Sequence, residues 1–125
     1  MKRIIHTETA PKAVGPYSQA VEKAGILFVS GQIPLSPETG ELIKGDIAEQ
    51  TKMVLTNIDG ILKAAGYNRD DVMKCTCLLD NIADFKEMNK VYEEYFFENP
   101  PARAAYEVVN LPLGAKIEIE AIAIK

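Results

Sequence analysis

Two segments of the chain carry apolar residues at helical spacing, and each begins with an aspartate followed three residues later by a glutamate, as helices often do. The first segment starts at Asp46 and stops at Gly66, a residue that favours helix termination, so we predict a helix over residues 46–65. The second starts at Asp84 and stops before the break at residues 99–101. Its apolar stripe is most simply explained by core packing. The periodic residues are Ile47, Val54, Ile58, Ile61, Leu62 and Ala65 in the first segment and Phe85, Met88, Tyr92, Tyr95 and Phe96 in the second.

The remaining apolar runs are short and bounded by turn residues, which is typical of strands. Strands are predicted over residues 2–7, 19–23, 26–30, 72–80, 102–109 and 116–124. The element order is therefore βββαβαββ. This order predicts an α+β fold, a six-stranded sheet with two helices packed on one face.

Two helices leave the second face of such a sheet without a cover. The run at residues 26–29 is apolar on both of its faces, so we expect both faces of that strand to be covered. Ile122 and Ile124 add further apolar surface away from the helices. Because a large exposed apolar face usually marks an interface, we predict a homo-oligomer that buries these faces together, with Arg103 and Glu118 near the seam.

Composition limits the chain to one compact unit. With 125 residues, 47% of them hydrophobic and 26% charged, it is expected to form a single domain over residues 1–125. No apolar run approaches the roughly 20 residues that span a bilayer, and the first residues turn polar too soon for a signal peptide, so a cytoplasmic protein is expected. The net charge of −4 argues against a protein that binds nucleic acid through a basic surface.

The two cysteines form a Cys-x-Cys pattern on a predicted strand. Cys75 and Cys77 therefore share a face, with Cα atoms about 6.5–7 Å apart, at or beyond the usual disulfide range. The only histidine, His6, lies far away in sequence, so a metal site lacks ligands. We interpret both cysteines as buried, reduced thiols.

The last two predicted strands carry charges among small and β-branched residues. Arg103, Ala105 and Glu107 share one face of their strand, and Glu118 and Glu120 share one face of theirs. Arginine is well shaped to bind a carboxylate through two parallel hydrogen bonds, and a nearby glutamate can activate water. The pattern suggests a pocket for a small anionic substrate. On the pattern alone, an ordinary charge pair on a water-facing sheet is the favoured interpretation.

Four motifs give the chain a more specific resemblance. They are GPYSQA at residues 15–20, VSGQIP at 29–34, PARAA at 101–105 and IEIEAIA at 117–123. With these motifs in this order, nearly the whole chain resembles the RidA/YjgF family of reactive intermediate deaminases. The resemblance implies a chorismate-mutase-like fold and a homotrimer with its sites in the clefts between subunits. It also implies hydrolysis of 2-imino acids, such as 2-iminobutanoate and 2-iminopropanoate, to 2-oxo acids and ammonia, with no cofactor and no metal.

The same resemblance assigns roles to individual residues. Arg103 is expected to bind the substrate carboxylate, and Glu118 to position the attacking water together with the backbone carbonyl of Ala105. Tyr17 is expected to cover the ligand and contribute a hydroxyl hydrogen bond. Pocket-lining roles are implied for Ser30, Gly31 and Asn89. The structural alternatives are a ring that caps the core at position 17, an ordinary strand end at residues 30 and 31, and an exposed helix residue at position 89.

Two departures from the family pattern bear on the pocket. Many relatives have cysteine where this chain has Ala105, so a backbone contact is kept there but any activity that needs a thiol is lost. Residues 98–102 form a shorter segment than in some relatives, which alters the expected rim of the pocket.

The sequence leaves two other functions open. A non-catalytic sensor or regulator that binds 2-oxo acids would use the same arginine. A ribonuclease or translation inhibitor, as some relatives are labelled, is poorly supported because the chain is acidic and lacks a pair of catalytic histidines.

Overall fold

The computed structural model describes all 125 residues, which form one mixed β-sheet with two helices on one face. The helices are α1 (Ile47–Ala65) and α2 (Phe85–Tyr95). The strands are β1 (Arg3–Ile5), β2 (Ala20–Lys23), β3 (Ile26–Gln32), β4 (Val72–Leu79), β5 (Ala102–Glu107) and β6 (Ile117–Ile124). The predicted order βββαβαββ and the α+β class are confirmed. The first strand is shorter than predicted, and β3 continues past its predicted end at residue 30.

The strands lie in the order β1-β2-β3-β6-β4-β5. All neighbouring strands are antiparallel except β4 and β5, which are parallel because the chain crosses over through α2 between them. The C-terminal strand β6 is therefore central, between β3 and β4, whereas β5 is an edge strand beside α2. This topology decides on which face the charges of β5 and β6 lie.

Helix α1 begins and ends where its local sequence predicts. The Glu49 N–H donates to Asp46 Oδ1 at 3.0 Å and the Asp46 N–H donates to Glu49 Oε1 at 3.3 Å, which completes a capping box. Gly66 ends the helix with a φ of 83°, a left-handed conformation that glycine adopts without strain. All six apolar residues predicted for the buried face of this helix are buried.

The predicted cap of α2 is wrong. Asp84 has helical dihedrals (φ −82°, ψ −2°) and its side chain makes no capping hydrogen bond. A 3-10 turn at Ile82–Asp84 runs directly into the helix, and the side chain of Asn81 starts that turn by accepting from the Ala83 N–H. The apolar stripe is confirmed, since its residues are buried or pack against the core. Neither helix is long and apolar enough to cross a membrane.

The second face of the sheet is open in this chain. Along β6, Ile117, Ile119, Ala121 and Ala123 are buried beneath the helices, and the alternate residues point to the open face. In the single chain one face of the 26–29 run is uncovered, since Phe28 is 52% exposed, so the expectation that both faces are covered depends on the predicted oligomer. The apolar open face required for the predicted oligomer is nevertheless present. A hollow of about 430 Å³ on this face includes Val21, Phe28 and Ile122 among its lining residues.

The two cysteines lie on the helix-covered face as buried free thiols. Burial raises the pKa of Cys75 to about 11 and that of Cys77 to about 12, so both thiols are neutral at physiological pH. This confirms their interpretation as small hydrophobic residues.

Candidate active site

The two principal candidate residues point to opposite faces of the sheet. Arg103 on β5 pairs with Cys75 of β4, which is buried beneath the helices, so the arginine side chain lies on the helix-covered face. Glu118 on β6 lies between Ile117 and Ile119, which are fully buried on that face, and therefore points to the open one. Within one chain, the structure does not bring Arg103 and Glu118 together.

Arg103 is half-buried at the edge of the sheet against α2. One guanidinium nitrogen donates to Asn89 Oδ1 at 2.7 Å. The guanidinium carbon lies 4.8 Å from the centre of the Tyr92 ring and 5.2 Å from that of Phe85. None of the three ion pairs of the chain involves Arg103, so its charge has no acidic partner. Most of its N–H donors therefore remain available to an external anion.

The hollow beside Arg103 has a volume of about 540 Å³ and includes Asn89, Tyr92 and the two prolines Pro100 and Pro101 in its lining. The short segment before β5 thus forms part of its rim. Ala105 follows on the same face of β5, opposite Cys77, and packs against the core. Because β5 is an edge strand, one side of its backbone is left unpaired near these residues.

Glu118 lies in a second hollow, of about 660 Å³, on the open face. Tyr17, Ser30 and Gly31 line the same hollow, so four of the candidate residues are brought together here. Burial, and secondarily the nearby charge of Glu120, raises the pKa of Glu118 above its ordinary value. A carboxylate with a raised pKa is a stronger base than an exposed glutamate, which suits it to accept a proton from water.

Gly31 determines where the Glu118 carboxylate lies. A Cβ atom at position 31 would be 2.9 Å from Glu118 Cδ and closer still to Oε2. The carboxylate therefore rests directly against the backbone of β3, in space that any other residue would occupy. Gly31 acts on the geometry of the glutamate in addition to lining the hollow.

The loop that carries Tyr17 is tied to β3 through Ser30. The Ser30 hydroxyl donates to the Ser18 carbonyl at 2.6 Å, and the Ser30 N–H donates to the Gln19 carbonyl at 3.0 Å. The Tyr17 side chain is 51% exposed, and so its ring does not cap the core. The serine hydroxyl is engaged within the chain, where it fixes the approach of the tyrosine loop to the hollow.

Sequence reasoning missed Gln19, a fully buried side chain next to this loop. Its amide oxygen accepts from the Thr7 N–H at 2.7 Å, and its amide nitrogen donates to the carbonyls of Thr7 at 3.0 Å and Pro11 at 2.8 Å. The loop leading to Tyr17 is thus folded around one glutamine. A glutamine inside the first motif was the available signal, but its partners are backbone groups that no pattern identifies.

Sequence reasoning also missed that two rings of the α2 stripe contact Arg103. Phe85, Asn89 and Tyr92 occupy positions i, i+4 and i+7 of α2, which places them on one side of the helix. This spacing was the available signal. The stripe was interpreted as core packing alone, but two of its members also present ring faces to the arginine.

The comparisons with known proteins agree with one another along the whole chain. The family described as endoribonuclease L-PSP matches residues 7–125. A 2-iminobutanoate/2-iminopropanoate deaminase of Homo sapiens is 50% identical over 125 residues, which cover 100% of this chain and 91% of the human protein. The chain belongs to the RidA/YjgF family. A RutC family protein of Pyrococcus horikoshii is 57% identical over 125 residues, covering 100% of this chain and 99% of that protein.

Structural similarity supports the RidA/YjgF assignment. The crystal structure of a Thermotoga maritima protein superimposes with a TM-score of 0.98 at 50% identity, covering 100% of this chain and 98% of that one. This RidA/YjgF member thus has the expected chorismate-mutase-like α+β fold, with two helices on one face of a six-stranded sheet. No group of three or more His, Cys, Asp or Glu side chains in it is arranged to hold a metal ion.

Proposed function

We propose that this protein hydrolyses short 2-imino acids, such as 2-iminobutanoate and 2-iminopropanoate, to 2-oxo acids and ammonia. The observation that carries the proposal is the state of Arg103, a half-buried guanidinium without an acidic partner beside an open hollow. A cation of this kind is suited to a small carboxylate ligand. The 50% identity to the human deaminase, over the full length of this chain, supports the same substrate class.

Substrate binding rests on Arg103. Asn89 accepts one guanidinium N–H, which leaves the other donors for the two oxygens of the substrate carboxylate. A bidentate pair of this kind fixes the orientation of the substrate as well as its position. Because the thiols of Cys75 and Cys77 beneath the arginine are neutral, they do not compete with the substrate for its charge.

The chemistry requires one positioned water and one base. Water adds to the electrophilic imine carbon and transfers a proton to Glu118, whose raised pKa favours the transfer. Starting from the protonated imine, this addition gives a neutral carbinolamine. Glu118 returns the proton to its nitrogen, the C–N bond breaks with its electron pair on nitrogen, and the hydroxyl proton passes to the departing ammonia as the ketone forms. The products are the 2-oxo acid and ammonium. Holding substrate and water together contributes much of the rate enhancement, since effective molarity is worth several kcal/mol.

Because Arg103 and Glu118 lie on opposite faces of the sheet, a working site needs two subunits. We propose that the protein is a homotrimer in which Arg103 and Asn89 of one subunit face Tyr17, Gly31 and Glu118 of its neighbour. The open apolar face with Phe28 supports such an assembly. Two buried free thiols are typical of a reducing compartment, which supports action in the cytoplasm.

The description endoribonuclease L-PSP of the family raises RNA cleavage as another activity. Nothing in the two hollows favours it. The single histidine of the chain, His6, is exposed just after β1 and lines neither hollow, and the net charge is −4. A basic surface for the RNA backbone is therefore not supported.

The test follows imine loss directly. Threonine dehydratase or an amino-acid oxidase generates the imine in the presence of semicarbazide, with and without this protein. We expect the protein to suppress semicarbazone formation, and its Arg103→Ala variant to lose about a hundredfold in kcat/KM, since two charge-assisted hydrogen bonds disappear. Equal activity of the two proteins would refute the assignment of Arg103. Binding of 2-oxobutanoate without any imine hydrolysis would select a 2-oxo acid sensor instead.

A further inference from the structure

The ring of Tyr92 lies beneath the Arg103 guanidinium without neutralising its charge. The side chain of Tyr92 is buried, and its ring centre lies 4.8 Å from the guanidinium carbon. A cation at this distance over an aromatic face is attracted by the ring quadrupole. Unlike a carboxylate, a ring leaves the N–H donors at the edge of the guanidinium plane available to an anion.

The hydroxyl of Tyr92 does not explain its position. That oxygen is buried, has no oxygen or nitrogen partner, and faces the Cys75 thiol, a weak hydrogen-bonding group. The ring is held by packing, with the Phe96 ring centre 4.9 Å away. Since a thiol is a weak partner that offsets little of the cost of burying a hydroxyl, the contribution of this residue lies in its ring.

A second arginine, Arg69 in the turn before β4, contacts a tyrosine of the same helix in a different arrangement. The Arg69 guanidinium carbon lies 4.7 Å from the centre of the Tyr95 ring, but Arg69 also donates to the Tyr95 carbonyl at 2.8 Å. The Tyr95 hydroxyl donates to Asp59 Oδ1 at 2.7 Å, so a carboxylate holds that ring. Tyr95 therefore offers a matched control, a tyrosine one turn away that contacts an arginine outside the candidate site.

We propose that Tyr92 is a positioning residue for carboxylate recognition, holding the Arg103 guanidinium over its ring face so that the free N–H groups are presented to the substrate. This inference rests on the proposed function, because it concerns the same carboxylate site. Asn89 fixes only one nitrogen of the guanidinium, and the Tyr92 ring, which is closer than that of Phe85, restricts the remaining rotation. A loosened arginine would have to be ordered by the substrate, which weakens binding through lost side-chain entropy.

The expected kinetic signature is specific. The carboxylate is bound equally in the ground state and in the transition state, so weakening the ring contact raises KM and leaves kcat nearly unchanged. A structural defect would instead lower the active fraction, and with it kcat. The binding of 2-oxobutanoate, which carries the same carboxylate and does not react, should weaken in parallel with KM.

The experiment varies the negative charge density on the ring face at position 92 while the shape of the ring stays nearly the same. Phenylalanine and its mono-, di- and trifluorinated analogues are incorporated at position 92, since fluorine withdraws electrons from the ring face. Kinetics on 2-iminobutanoate and calorimetric titration with 2-oxobutanoate are measured for each protein. We expect Tyr92→Phe to match the wild type, and KM and the 2-oxobutanoate Kd to rise stepwise, by about three- to tenfold at the trifluorinated ring. Tyr95→Leu, the fold control, should keep the KM of the wild type.

Each outcome is decisive. A flat series, or a series in which only kcat falls, overturns the role of Tyr92. If the wild type binds 2-oxobutanoate but does not hydrolyse imines, the proposed function fails while the titration still tests Tyr92. If the wild type does neither, Arg103 is not a carboxylate site and both proposals fail.

Discussion

Gly31 and Glu118 are in direct contact across β3 and β6, with the glutamate carboxylate resting in the space where a side chain at position 31 would be. A Cβ there would lie 2.9 Å from Glu118 Cδ. Because no side chain fits at position 31 without moving the carboxylate, the position of the proposed base depends on a single glycine.

Replacing Gly31 by alanine should therefore displace the Glu118 carboxylate and lower kcat. We expect a loss of about ten- to a hundredfold, because a misplacement of about 1 Å at a reacting centre has effects of this size. Steady-state kinetics on 2-iminobutanoate measure it.

A double-mutant cycle on stability is the control for this substitution. Gly31→Ala should destabilise the wild type but have little effect in a Glu118→Ala background, where the clashing carboxylate is absent. An equal destabilisation in both backgrounds would contradict the contact as the cause.

The separation of Arg103 and Glu118 on opposite faces predicts complementation between subunits. Arg103→Ala and Glu118→Gln proteins should each be strongly impaired alone, yet recover activity when unfolded together and reassembled. In a cyclic trimer formed at random from equal amounts, about one quarter of the sites pair an intact arginine with an intact glutamate. Imine hydrolysis by the mixture is the measurement.

The matched control is the double variant Arg103→Ala/Glu118→Gln reassembled with itself, which contains no intact pair. Mass spectrometry of the intact assemblies establishes that mixed trimers have formed. Absence of recovery in such trimers would place both residues in a site within one chain, or outside any site.

The raised pKa of Glu118 predicts an acid limb in the pH profile of kcat/KM. The base must be ionised to accept a proton from water, so activity should fall as the pH drops through a pKa above the ordinary glutamate value of 4.5. Burial is the larger cause and the charge of Glu120 the smaller one. Glu120→Gln should therefore shift the limb modestly to lower pH.

The free energy of unfolding should also depend on the ionisation of Glu118, but in the opposite direction: activity needs the ionised form, whereas folding favours the protonated one. Folded Glu118 binds its proton more tightly than the unfolded chain does, so its contribution to stability is fully present below the unfolded pKa and lost as the pH rises through the raised folded pKa. Glu118→Gln should remove this component from the dependence of unfolding on pH. An unaltered dependence would show that the folded pKa is ordinary.

The two helix starts predict unequal responses to the same substitution. Asp46→Ala removes a side chain that caps α1 and should lower the free energy of unfolding by about 1 kcal/mol. Asp84→Ala removes a side chain that makes no capping bond and should change it by less than about 0.5 kcal/mol. Chemical denaturation at one fixed protein concentration gives both values. A larger effect at Asp84 would mean that its carboxylate caps α2 in solution.

Local signals explain what could be predicted of the fold. The limits of α1 follow from the Asp46 capping box and from Gly66, both of which act within one helical turn. The apolar stripe of α2 and the buried thiols follow from periodicity, because each alternation or repeat places residues on one face. The wrong cap at Asp84 has a local cause as well, since a preceding turn had already started the helix at that point.

The sequence by itself determined the order of the elements, the family and the residue types available for chemistry. Only the tertiary structure decided which faces those residues share. Arg103 and Glu118 are charges of two neighbouring strands in sequence, yet β4 lies between those strands in the sheet, and pairing with it directs the two side chains to opposite faces. The ring of Tyr92 under Arg103 and the contact of Gly31 with Glu118 likewise depend on long-range packing, which residue spacing along the chain does not encode.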